Sequence, residues 1–153
     1  MRLAVLCGCL LVLSCSDSEP ATSSSSGTSN GANSVTQPVG PEGGTIVVAG
    51  ATVTIPKGAL ADTKQITISA TEDKPPAGFT AVSKVFRCEP SGTEFTADVT
   101  MEMPFTDDGK PVKMFWSTGS DPTFKDVGGT PTNNKTVIAT VKHFSAGFVG
   151  RQP

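Results

Sequence analysis

This sequence predicts an all-β fold, a single antiparallel β-sandwich of about eight short strands, and three observations lead there. Five of the six Leu residues in the 153-residue chain fall at positions 3–13, and only Leu60 follows. The rest of the chain carries 13 Val and all 20 Thr. β-Branched residues favour strands, whereas helices need straight-chain apolar residues. Finally, apolar residues recur with period two in short runs broken by Gly, Pro and Asp, and no segment sustains a 3.6 period. A content of 37% hydrophobic and 17% charged residues argues against a coiled coil or a highly charged disordered chain. The formal net charge of -2 leaves no basic footprint for nucleic acid.

The first element is an address. Met1-Arg2 supplies a positive start, and Leu3 to Leu13 is an apolar run broken only by Cys7-Gly8-Cys9. It is too short to span a bilayer core of ~30 Å, which takes ~20 helical residues, but it fits the hydrophobic region of a signal peptide. Val12-Leu13-Ser14-Cys15 resembles the bacterial lipobox: an aliphatic residue three before a Cys, and a small residue just before it. That resemblance implies a signal peptide over residues 1–14, cleaved before Cys15, and acyl chains such as palmitate on Cys15. Each buried lipid CH₂ contributes about 0.8 kcal/mol, so two or three chains anchor stably where one would not. In that class an Asp directly after the Cys retains the protein in the inner membrane. Ser16 stands there, so the expected location is a lipid-anchored one in the cell envelope, at the outer membrane if the host has one.

Processing also changes the cysteine arithmetic. Cys7 and Cys9 leave with the signal and Cys15 is lipidated, so Cys88 alone remains as a thiol. Residues 16–38 then contain one Val and no aromatic residue, in a Ser/Thr/Gly/Asn-rich stretch. Such a segment buries too little apolar surface to offset its ordering entropy, so residues 15–38 are expected to be a flexible tether. Its 23 linker residues would span roughly 26 Å as a coil and about 75 Å at full stretch.

The head is expected over residues 39–150. Thr45 to Ala49 is a short apolar run. Alternation follows at Ala51, Val53 and Ile55, then at Ile66, Ile68 and Ala70. It is less clean from Val82 to Cys88, and clear again at Val99, Met101 and Met103. Thr106 to Pro111 holds an Asp-Gly turn, after which Val112, Met114 and Trp116 share one face. Val137, Ala139 and Val141 form another run, and Phe144, Ala146 and Phe148 the last. One-sided alternation argues for antiparallel sheets with one buried face each.

Three stretches together resemble a known family. They are Gly40-Pro41-Glu42-Gly43-Gly44-Thr45 with Thr52-Val53-Thr54-Ile55-Pro56-Lys57-Gly58-Ala59-Leu60; Glu89-Pro90-Ser91-Gly92-Thr93-Glu94-Phe95 leading to Val99-Thr100-Met101-Glu102-Met103-Pro104; and Val141-Lys142-His143-Phe144-Ser145. The chain from about 39 to 149 is similar to the ZU-five-type domain of zonula occludens proteins, netrin receptors and ankyrins. The resemblance implies an antiparallel β-sandwich used mainly for protein interaction.

Most of these motifs also read as structure. Gly43-Gly44 lacks the Gly-Lys-Ser/Thr of a phosphate loop, and Glu42 would repel phosphate, so a turn into a strand is expected. Pro56 ends a strand because it cannot donate to a ladder, and Leu60 should plug the core from that corner. Met101, Met103 and Met114 sit at strand period beside Val99 and Val112, which points to core filling rather than soft-metal binding. Cys88 shares a face with Phe86, the position of an inert buried thiol. Asp107-Asp108 lacks calcium-loop spacing. Asn134-Lys135-Thr136 matches a glycosylation sequon that is idle in a bacterial host.

His143-Phe144-Ser145 is the chemically distinctive tripeptide. In some relatives within death-domain and inflammasome proteins, the same tripeptide is a self-cleavage site. The resemblance then makes Ser145 the nucleophile, the Phe144 carbonyl the electrophile, and His143 the base or strain-holder. The plainer expectation makes Phe144 a core residue at the entrance to the last strand, with His143 and Ser145 facing solvent or pairing with a neighbour. A Ser-His-Asp triad would have to recruit the lone His143, and no Gly-x-Ser-x-Gly elbow is present. One His and one remaining Cys are too few for zinc, so no metal or cofactor is expected. The expectation is a non-enzymatic, membrane-anchored envelope lipoprotein whose sandwich serves protein interaction or envelope structure. Its partners would be the membrane, through Cys15, and an envelope protein, with no nucleic acid and no small-molecule substrate. The alternatives are an autoproteolytic module and a carbohydrate-binding sandwich. The last needs an exposed aromatic platform, yet Trp116, the one Trp, falls on the Val112-Met114 face expected to be buried.

Overall fold

The computed structural model describes residues 33–119 and 123–152. These residues form twelve strands in two antiparallel sheets, a β-sandwich, with no helix among them. The expected signal peptide, Cys15 and most of the expected tether lie outside the described residues.

The larger sheet places β1 (Ser34–Val39), β4 (Lys64–Thr71), β6 (Val85–Glu89), β12 (Ala146–Arg151), β8 (Lys113–Ser117) and β9 (Phe124–Gly128) side by side, with the short β5 (Thr80–Ala81) also against β12. The smaller sheet runs β10 (Thr130–Pro131), β11 (Thr136–His143), β7 (Glu94–Pro104), β3 (Ala51–Ile55) and β2 (Gly44–Val48). Eight of these strands coincide with the alternating runs of the sequence. The other four, β1, β5, β9 and β10, are short or polar. Phe124-Lys125-Asp126-Val127-Gly128 shows no period-two pattern, and a two-residue strand has no period at all.

The head starts earlier than composition suggests. Ser34 to Pro38, assigned above to the tether, form most of β1 and supply five of its six registered positions against β4. The segment is polar because β1 is an edge strand whose outer side faces water; Ser34 and Thr36 hydrogen-bond to Ser69 and Thr67 at 2.9 and 2.7 Å. Cross-strand hydroxyl pairs of this kind stabilise a sheet without apolar residues.

Both sides of the sandwich are closed by chain corners. β1, at one edge of the larger sheet, turns into β2, at an edge of the smaller one, and Gln37 Nε2 donates to the Thr45 carbonyl across that corner at 3.1 Å. β9 turns into β10 at the other side through Gly128 and Gly129.

The interior is a Val/Ile/Met/Phe core. Val53, Ile66, Ile68, Val99, Met101, Met103, Met114, Val137 and Phe144 are each 0% exposed. Burying one such large side chain contributes about 1.5–3 kcal/mol. The outer face of the smaller sheet carries a rank of threonines in direct register, Thr45 beside Thr54, Thr54 beside Thr100 and Thr100 beside Thr140.

The larger sheet is unusual in being apolar on both faces near β8 and β12. Val85, Phe115 and Phe148 form a second cluster on its outer side, roofed by Phe79 and Phe124. Phe79 stands edge-on to Phe115 with ring centroids 5.0 Å apart. Hence Phe148 does not share the inner face with Phe144, as simple alternation suggests. The parity shifts because the chain changes sheets between β11 and β12: Phe144 enters the main core, and Phe148 joins the outer cluster.

Candidate functional site

The first motif pair folds into one corner. Gly43 has φ +75°, a left-handed conformation that favours glycine. A Cβ there would stand 2.3 Å from the Ile55 carbonyl oxygen and 2.7 Å from the Pro56 carbonyl carbon. Gly58 N–H donates to the Pro41 carbonyl at 2.7 Å, and Lys57 pairs with Glu42 at 2.9 Å on the exposed side. Leu60, 3% exposed, closes the core from that corner. The glycines therefore permit two backbones to approach, as a turn would require, and the Gly43 N–H is taken up by the Gly40 carbonyl at 2.9 Å.

The second and third motifs also meet. His143 ends β11, Phe144 and Ser145 cross between the sheets, and β12 begins at Ala146. The turn after β6 holds this crossover. Phe144 N–H donates to the Thr93 carbonyl, and Gly92 N–H donates to the Phe144 carbonyl, both at 2.8 Å. Cys88 N–H donates to the Ser145 carbonyl at 2.8 Å, and Trp116 Nε1–H donates to the His143 carbonyl at 3.1 Å. All three carbonyls of the tripeptide are thus hydrogen-bonded. The Phe144 ring stands edge-on to Phe95, with centroids 4.7 Å apart.

The two side chains that carry chemistry are separated. His143 Nε2 lies 3.0 Å from the Ser117 carbonyl. A carbonyl only accepts, so Nε2 carries the proton there. His143 lines a depression with Glu94, Phe95 and Lys142, whereas Ser145 lines a different one with Arg87, Glu89 and Ser91. Among the described residues no hydrogen bond joins His143 to Ser145. Ser145 is only 5% exposed at the floor of its depression, where period two had it facing solvent or pairing with a neighbour. Alternation fails here because Ser145 lies in a crossover outside any ladder. Backbone strain of the left-handed kind is also absent at both residues; among non-glycines it occurs at Ala49 and Lys135. Chemically, the arrangement polarises the Phe144 carbonyl through one N–H donor but aligns no base with the Ser145 hydroxyl.

The remaining candidates are structural. Cys88 is 0% exposed, and burial, with the Glu89 carboxylate adding to it, pushes its thiol far above the ordinary range. Met101, Met103 and Met114 are buried in the core. Asp107 and Asp108 accept from the N–H groups of Gly109 and Lys110 at 2.9 and 3.3 Å, which shapes their turn, and Asp108 also pairs with Arg151. No group of three or more His, Cys, Asp or Glu able to hold a metal occurs among the described residues. No helix among them is long and apolar enough to cross a membrane.

Sequence reasoning missed the residues that hold the crossover in place. Gly92 and Thr93 read as a turn, but their partner, some fifty positions on, has no local signature. Gly147 was missed as well. It pairs with Trp116 across the ladder, with the indole ring filling the place of its absent side chain.

The family model of the ZU5 domain matches residues 35–117, more than half of the 153. The His143-Phe144-Ser145 crossover lies beyond the matched stretch. No curated protein matches the chain.

Proposed function

The chain belongs to the ZU5 domain family, a family of β-sandwich protein-interaction domains, and on that premise we propose that it is a non-enzymatic interaction module held at the cell envelope by lipid on Cys15. One observation carries the non-enzymatic part of this reading. The few side chains able to do chemistry are engaged, enclosed or kept apart: His143 rests on a carbonyl, Cys88 lies in the interior, and Ser145, 5% exposed, lines a different depression from His143. What remains exposed is recognition surface, including the threonine rank of the smaller sheet. The anchor rests on the sequence of Val12 to Cys15 and on the polar stretch that precedes β1.

The test is crosslinking in intact cells, followed by fractionation, of the wild type and Cys15→Ala. The wild type should appear in the membrane fraction, crosslinked to a discrete envelope protein. Cys15→Ala should move to the soluble fraction. Membrane retention of Cys15→Ala would sink the anchor, and a wild type that never crosslinks would sink the interaction role.

A second reading, self-cleavage between Phe144 and Ser145, has the hydrogen bond from Gly92 N–H to the Phe144 carbonyl in its favour. The separation of His143 from Ser145 and the absence of left-handed strain weigh against it. Intact-mass spectrometry of the purified full chain should give one uncleaved species after signal removal. A break after Phe144 that disappears in Ser145→Ala would establish self-cleavage instead. The carbohydrate reading lacks its platform, because Trp116 is 2% exposed.

A further inference from the structure

The outer face of the larger sheet is roofed over only part of its width. The aromatic part, Val85, Phe115 and Phe148, lies under Phe79. Two residues further along each strand the same face continues as Arg87, Ala146 and Ser117. Arg87 pairs with Ala146, and Ser117 pairs with Phe124. Ala146 precedes Gly147, which pairs with Trp116, so it lies beside Ser117. Two small residues, Ala146 and Ser117, between Arg87 and Phe124 leave a dip, and the segment Asp73–Pro76 forms one wall of the resulting groove of about 270 Å³.

The groove holds both signs of charge. Asp73 accepts from Arg87 Nε and Nη2 at 3.0 and 2.9 Å and from Thr71 Oγ1 at 2.9 Å. These bonds, that from Arg87 foremost, hold the Asp73 carboxyl below the ordinary carboxylate range. They also fix the guanidinium while leaving Nη1 outside the pair. Lys74 and Glu89 line the same groove, and neither makes an ion pair among the described residues. Glu89 Oε2 accepts from Ser91 N–H at 2.6 Å, which sets its carboxylate at the groove's polar end. Val85, Pro75, Pro76 and Phe124 supply apolar wall.

We propose that this groove binds a free α-amino acid with an apolar side chain. Its carboxylate meets Arg87 and Lys74, its ammonium meets Glu89, and its side chain packs against Pro76 and Phe124. A simple anion would face Glu89 unopposed, and a simple amine would face Arg87 and Lys74. The end of a peptide brings only one charged terminus and leaves one side of the groove without a counter-ion. A zwitterion satisfies both at once through charge-assisted hydrogen bonds. Because the charges are open to water, each contact is weak, and a Kd of ~1 mM is expected. The proposal goes beyond the interaction role and stands independently of the lipid anchor.

NMR titration of the ¹⁵N-labelled full chain tests it, with L-leucine, N-acetyl-L-leucine and L-leucine amide as probes. Leucine should shift the amides of Ser145, Ala146 and Gly119 saturably, and each blocked form should bind about tenfold more weakly. Glu89→Gln should weaken leucine binding to the level of the N-acetyl compound. Lys74→Gln, also on the surface, should reduce the preference for leucine over its amide. Absence of saturable shifts, equal binding of all three probes, or wild-type selectivity in Glu89→Gln would each overturn the proposal.

Discussion

Gly147→Ala is expected to destabilise the domain by about 3 kcal/mol or more, at or beyond the upper end of ordinary overpacking. A Cβ at this position would stand 2.2 and 2.6 Å from Trp116 Cε3 and Cζ3, and 2.8 Å from the Phe115 carbonyl oxygen. Neither neighbour has room to yield. Trp116 is 2% exposed and tied through its Nε1–H to the His143 carbonyl, and the Phe115 carbonyl belongs to the strand that pairs with β12. Any shift of the indole therefore disturbs the crossover as well as the core. Urea denaturation followed by Trp116 fluorescence measures the effect. A variant within about 0.5 kcal/mol of the wild type would show that Trp116 does not fill this gap.

Phe144→Ala should cost about 3–5 kcal/mol, the range for removing a fully buried aromatic side chain. Phe144 is 0% exposed, and loss of its edge-on contact with Phe95 adds to the cavity term. Phe144→Leu should recover most of the loss, because it refills volume without the ring geometry. The same denaturation curves give both values. A small effect for Phe144→Ala would mean that the crossover is loosely packed, and would reopen self-cleavage, which needs mobility and strain at this peptide. Ser145→Ala should change stability little, since the crossover is held through backbone groups, the Trp116 indole and the His143 ring rather than through the Ser145 hydroxyl.

The legible part of the fold is the part in which one face of a strand is buried and the other wet. Ile66, Ile68 and Ala70 announce β4 in this way, and Val137, Ala139 and Val141 announce β11. β1 was hidden because its contacts are hydroxyl pairs and backbone bonds, so Ser34 and Thr36 resemble linker residues. β8 was visible, but its second apolar face was not. Phe115 and Trp116 are adjacent in sequence and buried in different clusters, so the run reads as apolar without showing which residue faces where. At the candidate site, the motifs could be named in advance, and Gly43 and Pro56 could be assigned to a turn and a strand end. That Gly92 donates to Phe144, or that His143 binds the Ser117 carbonyl, depends on strands far apart in the chain.

By itself, then, the sequence determined the composition class, the eight main strands, the burial of Trp116 and Cys88, and the membership expected from three spaced motifs. Those features depend on local periodicity and turn chemistry, which neighbouring residues encode. Only the tertiary structure decided where the head begins, which way the chain turns between sheets, and that His143 and Ser145 open on different depressions. It also decided that the outer face of the larger sheet is half aromatic core and half charged groove. The physical reason is the same in each case: these outcomes depend on which strand lies beside which, and period two carries no information about a strand's neighbours.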